Sequence, residues 1–389
     1  MTQAAAIPTR YGNLVAAIAT VGCCDIAMGL TLQLLPLLME AQGVPAWIMG
    51  VNAAMGPIGI LMAGPLLPHI IGRVGSKRIA VFVIAILIAT MIAFPLAQSI
   101  WLWFPIRFIF GIAAGTLFTI SEAWVLTFAG DGNRGRITSL YTSVLAVTFS
   151  VGPLILPFTG IEGWTPWLIG MACIAAGALP LAFVEVNDEA FRQKQRGGFF
   201  RFMGRAPLLL FAVAAATLFD SVFISFFTIF GLRHGLELEV ASRILGVGII
   251  ANTLLFFPIG WLADHWSRIG VVVVTASLTV GLSLSLIPLI GTWAIWPATV
   301  LLLASAFGVY VVALATLGDK FKGPDVIAGS AAIAAMWGVG GLLGTPIAGA
   351  AIDAFGINAM PVTLAVFYAI LLGGLALNGG RLVREPAHG

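Results

Sequence analysis

Three ionisable side chains lie where an apolar chain has least reason to carry them: Asp25, Arg107 and Asp220, each inside a long apolar run. A charge at the middle of a bilayer costs at least about 2.5–3.5 kcal/mol on insertion scales, so it persists where it is paired or used. Asp25 lies twelve residues into the first run, roughly 18 Å at about 1.5 Å per residue. Asp25, Gly29 and Gln33 recur at every fourth position and so share one helix face, too polar for lipid. The chemistry open to such a set is proton carriage. Burial and a nearby cation act in opposite senses on a carboxyl group, so the proton on Asp25, with Arg107 beside it, can follow a change in access. The bland alternative is an Asp25–Arg107 ion pair that only fixes packing. Asp220 shares its face with Thr217, Ser221 and Ser225, among Phe219, Phe223, Phe226, Phe227 and Phe230. No cation lies in mid-run in its half, so Asp220 is expected to hold a proton, a structural hydrogen bond or a cationic substrate. The phenylalanines are expected chiefly as packing, with Phe223 placed at a cavity together with Gln33, Asn252 and Tyr310.

These residues need a membrane to make sense. The chain has 389 residues, 60% hydrophobic and 9% charged, with mean hydropathy +1.06. Soluble domains are about 25% charged and expose about half their surface to water. A soluble enzyme, a disordered chain and a nucleic-acid binder are excluded. A bilayer core about 30 Å thick needs about 20 apolar residues per helix. Twelve runs meet that need: 13–38, 46–70, 79–98, 101–127, 137–160, 164–184, 207–231, 244–262, 269–290, 293–317, 329–352 and 358–379. The fold class is all-α and polytopic.

With the N-terminus inside, 16 of the 19 Lys and Arg fall in cytoplasmic segments, only Arg233 and Arg243 fall outside, and Arg107 lies in a span. That bias puts both termini in the cytoplasm. Trp47, Trp101, Trp103, Trp164, Trp167, Trp293 and Trp296 mark the outer helix ends, as an interfacial belt would. Cys23, Cys24 and Cys173 lie in apolar stretches and form no disulfide framework. The polar stretch 185–206 is expected as a cytoplasmic linker between a half spanning 1–184 and a half spanning 207–389.

The halves echo one another. Asp25 and Asp220 are 195 residues apart, Gly130-Asp131 and Gly318-Asp319 are 188 apart, and Gly152-Pro153 answers Gly344-Thr345-Pro346. Two six-helix halves about a pseudo-two-fold axis, with a site near mid-membrane, is a recurring transporter plan. The motifs resemble those of the major facilitator superfamily. Its loop between spans 2 and 3 reads Gly-x-x-x-Asp-Arg-x-Gly-Arg-Lys; here Arg73, Gly75 and the basic Lys77-Arg78 match, while Gly72 replaces the aspartate. The loop after span 8 keeps it as Asp264, followed by His265 and Arg268. Arg107 and Gly111 are similar to the family's Arg-x-x-x-Gly of span 4. Gly152-Pro153 resembles the motif associated with antiporters, with Leu154-Ile155-Leu156 where glycines are expected, and Gly340, Gly344, Pro346 and Gly349 form a fuller copy. Ser121-Glu122-Ala123-Trp124 with Asn133-Arg134-Gly135-Arg136 resembles a bacterial transporter subgroup.

The resemblance implies alternating access, with Asp25 and Arg107 paired as in the family's proton-coupled antiporters and Asp220 joining them in proton coupling. Gating is expected from Arg73, Glu122 and Arg136 in the first half and from Asp264 and Arg268 in the second, where the retained aspartate makes the stronger lock. No Walker loop, Gly-x-Ser-x-Gly elbow or spaced metal set occurs, so neither ATP, a metal nor a cofactor is expected. The reading is a monomeric, proton-coupled exporter of a small organic compound in a bacterial-type inner membrane. Its partners are substrate, protons and the lipid bilayer, with no nucleic acid. Proton-coupled uptake, or flipping of an amphiphile or lipid-linked substrate, stays open.

Overall fold

A computed structural model describes residues 11–129, 133–183, 204–321, 324–378 and 382. Most of the 185–206 linker, and Gly130-Asp131, lie outside the described residues. The described chain forms twelve long helices: α1 (Tyr11–Ala41), α2 (Ala46–Val74), α3 (Ser76–Leu96), α4 (Ile100–Phe128), α5 (Arg134–Thr159), α6 (Thr165–Leu181), α7 (Pro207–Arg233), α8 (Leu238–His265), α9 (Arg268–Leu289), α10 (Ile295–Lys320), α11 (Pro324–Phe355) and α12 (Ala359–Leu377). Eleven are long and apolar enough to cross a membrane, and α6, with 17 residues, is shorter. Several run past the apolar stretches that announce them: α8 begins six residues and α11 five residues earlier than the hydropathy. Helical backbone satisfies its own hydrogen bonds, so the turn continues into polar sequence until a cap or a proline ends it. Prolines inside helices, such as Pro36, Pro105, Pro153 and Pro346, are tolerated where neighbours cover the freed carbonyls. Gly75, the glycine shared with the family's loop motif, turns the chain between α2 and α3 at φ 92°, a conformation that other residues rarely adopt.

The helices form two compact units. The first holds Met1–Leu35 and Ile58–Gln195; the second holds Pro36–Pro57 and Arg196–Gly389. Among the described helices the chain changes unit within α1 and within α2. In the first unit α3 packs on α4 and α6, and α5 on α4 and α6. In the second, α7 packs on α11, α12, α10 and α8, while α9 packs on α10 and α12.

Lipid tails are as apolar as leucine, so helices in a bilayer associate through close packing rather than through a hydrophobic drive. In the first unit this happens at α1 and α5. A Cβ on Gly29 would overlap the Phe149 carbonyl, and one on Gly152 would overlap the Leu30 amide. In the second unit α2 lies as close to α11: Cβ atoms on Gly50 and Gly349 would overlap the carbonyls of Thr345 and Ala46, and the Thr345 hydroxyl donates to the Gly50 carbonyl at 2.8 Å. That contact is why residues 36–57 belong to the second unit.

The tryptophan belt divides in two. Trp47, Trp101, Trp164 and Trp293 are exposed and Trp296 is half-buried, whereas Trp103 and Trp167 are buried. The two buried rings sit against Phe94, edge-on at 6.4 Å and stacked at 5.4 Å. They hold α3, α4 and α6 together instead of anchoring at a headgroup.

Gly152→Val should lower the stability of the detergent-purified protein by about 1–3 kcal/mol, the usual cost of overpacking. Gly281→Ala, on a helix face with open space, should change it by less than about 1 kcal/mol. Thermal unfolding of both reads the difference, and equal midpoints would show that α1 and α5 need no such approach.

Candidate functional site

The first unit places Asp25 at the tight α1–α5 contact. Gly22, one turn before it, lets Thr148 of α5 come close: a Cβ there would stand 3.2 Å from the threonine methyl. The Thr148 hydroxyl donates to Asp25 Oδ2 at 3.2 Å while also lying against the Val144 and Leu145 carbonyls. Asp25 is 3% exposed. Its partner is therefore this neutral hydroxyl, and the expected ion pair with Arg107 does not form. Arg107 is equally buried in α4, one turn before Phe110. Phe110 and Ala114 border a small apolar void of about 10 Å³ with Val21, Cys24 and Met28 of α1. That apolar packing between α1 and α4 is the physical reason the carboxylate turns towards α5. Gln33 is buried further along α1.

The second unit repeats the pattern with the roles exchanged. Thr217 of α7 stands 195 residues after Gly22, and Gly340 of α11 stands 192 after Thr148. A Cβ on Gly340 would overlap the Thr217 hydroxyl, which donates to the Met336 carbonyl at 3.0 Å. The threonine now sits on the same helix as the acid and faces away to α11. Asp220 consequently has no hydrogen bond or ion pair to any described residue. Phe219, Phe223 and Phe227 stack along α7 at 5.3 and 4.6 Å, and all three are fully buried. They pack the helix, and Phe223 shows no free face. Asn252 of α8 is buried, with its amide nitrogen on the Ile249 carbonyl at 3.1 Å and its Oδ1 without a partner. Tyr310 of α10 is half-buried, edge-on to Trp337 of α11 at 5.5 Å.

At one end of the second unit three charged residues come together, of which only Arg233 is marked by the sequence, and there only as an outer basic residue. Arg233, the last residue of α7, grips Glu40 of α1 with two bonds, Nε to Oε1 at 2.7 Å and Nη2 to Oε2 at 2.8 Å. Asp353 of α11 accepts from the Ala46 and Trp47 amides at 2.9 and 2.8 Å. An acid there satisfies two of the open donors at the start of α2 and lies at the favourable end of its dipole. The available signal was opposite charges at the ends of successive apolar runs, without any indication of which ends meet.

At the opposite end of the second unit Arg268 bridges Asp264 at 3.3 Å and Asp319 at 2.6 Å. Asp319 was visible as a mark of the internal repeat but not as a partner. In the first unit Arg73, Glu122 and Arg136 are exposed, and no ion pair joins them to each other or to another described side chain. Their neighbours in sequence do structural work instead. Trp124 is buried and donates to the Ser76 hydroxyl at 3.0 Å, Ser121 and Tyr141 share a hydrogen bond of 2.8 Å, and Lys77 donates to the Ala182 carbonyl at 3.0 Å. The cysteines are free.

The family model of the Major Facilitator Superfamily matches residues 17–324. Over 368 residues the chain is 25% identical to the uncharacterized MFS-type transporter YcaD of Salmonella typhimurium, covering 93% of this chain and 95% of that one. It is 26% identical over 266 residues to the uncharacterized MFS-type transporter YfkF of Bacillus subtilis, covering 65% and 66%. Its fold is similar to that of the nucleoside transporter NupG, with TM-score 0.76, 14% identity and coverage of 95% and 99%. It is similar also to an inward-facing bacterial homologue of the human lysosomal transporter Spinster, with TM-score 0.76, 15% identity and coverage of 97% and 99%. Twelve helices in this order, a carboxylate buried in α1 and the family's loop residues on α2, α8 and α9 agree with that match: the chain belongs to the Major Facilitator Superfamily, a family of membrane transporters and not of enzymes.

Proposed function

We propose that this transporter exchanges a small organic compound for protons by alternating access, exporting the compound, with Asp25 as the proton carrier. The observation that carries the reading is the setting of Asp25, buried in α1 with a neutral hydroxyl as its hydrogen-bond partner. A charge in such a place is costly. The cost disappears when the carboxyl takes up a proton, and it falls when water reaches the ionised group and solvates it, which ties proton occupancy to access. Gly152-Pro153 and the fuller Gly340, Gly344, Pro346 and Gly349 set favour exchange through their likeness to the antiporter motif. Leu154-Ile155-Leu156, in place of the motif's glycines, favours the second reading, proton-coupled uptake. The distribution of Lys and Arg supports a topology with both termini on the cytoplasmic side of a bacterial inner membrane, and the reading is of a monomer.

Candidate substrates start from two water-soluble probes, uridine, because a nucleoside transporter shares the fold, and ethidium, because Asp220 lacks a cation. In proteoliposomes a transmembrane pH gradient should drive accumulation of a transported probe by the wild type. Asp25→Asn should reduce that accumulation at least about tenfold while leaving one-for-one exchange at uniform pH within a factor of about two. Full gradient-driven accumulation by the variant would remove Asp25 from coupling, and the sign of the gradient that drives flux decides between export and uptake.

Alternating access also requires residues 36–57 to leave the second unit. The Glu40–Arg233 pair and the Asp353 cap oppose that step, at up to about 1 kcal/mol for an exposed ion pair and about 0.5–2 kcal/mol for a lost helix cap. Spin labels at Gln42 and Glu237, both exposed, with the three native cysteines replaced by alanine, report the distance. Asp353→Ala and Arg233→Gln should each add a longer-distance population, the double variant most. Unchanged distributions in all three would show that the charged contacts do not hold this end.

A further inference from the structure

We infer that the second unit carries a recognition subsite for a ring-bearing organic cation, formed by Asp220 and Ser221 of α7, Trp337 of α11, and Tyr310 and Phe307 of α10. The inference rests on the transporter reading above and names the class of compound that its binding half would accept. Between Ala215 and Gly231 every residue of α7 is buried except Asp220 and Ser221. This stretch of α7 therefore opens at one place, and that place carries a carboxylate without a hydrogen-bond or ionic partner among the described residues. The opening continues onto α11. Gly341 lies opposite Ser221, whose hydroxyl stands 3.2 Å from where a Cβ would be. Trp337 precedes Gly341 by four residues and so occupies the same helix face one turn away.

Trp337 is 38% exposed, unlike the buried aromatic stack of α7. Tyr310 meets it edge-on at 5.5 Å and Phe307 leans on it at 6.5 Å. Lipid contact does not account for this wall, because the face it continues carries Asp220 and Ser221, which a lipid-facing surface would exclude. An anion beside Ser221, on the opening that Gly341 and Trp337 continue, is complementary to one chemistry above others. The ring faces attract a cation through their quadrupole, and the carboxylate supplies the opposite charge in a medium that screens little. A flat aromatic system completes the fit by stacking against Trp337.

The test uses ethidium and its uncharged ring counterpart 6-phenylphenanthridine, titrated at pH 8 into the full-length protein in nanodiscs. The wild type should bind both, ethidium more tightly. Asp220→Asn should weaken ethidium at least about tenfold and leave 6-phenylphenanthridine within about twofold. Trp337→Ala should weaken both, and Trp337→Phe should restore most of the affinity, with unfolding midpoints confirming that each variant is folded. No saturable ethidium binding to the wild type, equal losses of both probes with Asp220→Asn, or no loss with Trp337→Ala would each overturn the subsite. Binding does not depend on coupling, so failure of gradient-driven flux in proteoliposomes would count against the proton-exchange reading alone.

Discussion

Two amide hydrogens at the start of α2 set much of the second unit. In a membrane protein they need an acceptor, and Asp353 supplies both oxygens from the far end of α11. Once that bond pair fixes the register, the helices must run side by side for several turns, so Gly349, Gly50 and Gly341 fall where backbones or Pro57 would otherwise collide with a side chain. The same register sets Trp337 one turn past Gly341. A carboxylate at one end of α11 thus bears on the position of an aromatic ring sixteen residues away, through rigid helix and without any flexible link. The other result is an α2 shared between two compact units, its first part in one and its second part in the other.

The internal repeat is most informative where it breaks. Both halves bring a threonine against a glycine at the level of the buried acid, but the threonine comes from α5 in the first half and from α7 in the second. In one case the hydroxyl reaches the acid on the neighbouring helix; in the other it turns to the Met336 carbonyl. A duplicated scaffold has therefore produced two carboxyl groups of different character, one held by a hydroxyl and one open.

The sequence made the span pattern, the deep acids and the repeat legible because each is local: an apolar run, a residue type out of place, a fixed offset. Partner choice was not legible. Asp25 and Arg107 were paired by charge, yet small apolar contacts between α1 and α4 direct the acid towards α5. The α7 phenylalanines could be assigned to packing from their number and spacing, but Trp337 read as one more apolar residue of its run. Arg73 and Glu122 stood out through their motifs yet pair with no described side chain, whereas Asp264 and Arg268, singled out in the same way, do pair. The pairs Glu40–Arg233, Glu239–Arg243 and Asp319–Arg268 had no motif to announce them. Contacts between residues nearly 200 apart depend on helix register, which no single run encodes.

The shortness of α6 has a consequence for the surrounding lipid. Seventeen residues at about 1.5 Å each reach about 25 Å, less than the roughly 30 Å of a typical hydrocarbon core. A helix this short has no slack to tilt, and Leu168 and Leu179 on its exposed side suit contact with acyl chains. A span shorter than the core is met by local thinning of the bilayer or by snorkelling of flanking side chains, at a cost that grows with every ångström of mismatch. Where the bilayer thins to meet α6, the dent follows that flank of the first unit. Any motion of that unit drags the dent with it, so chain length and stiffness of the lipids enter the energetics of the transport cycle without touching the substrate path.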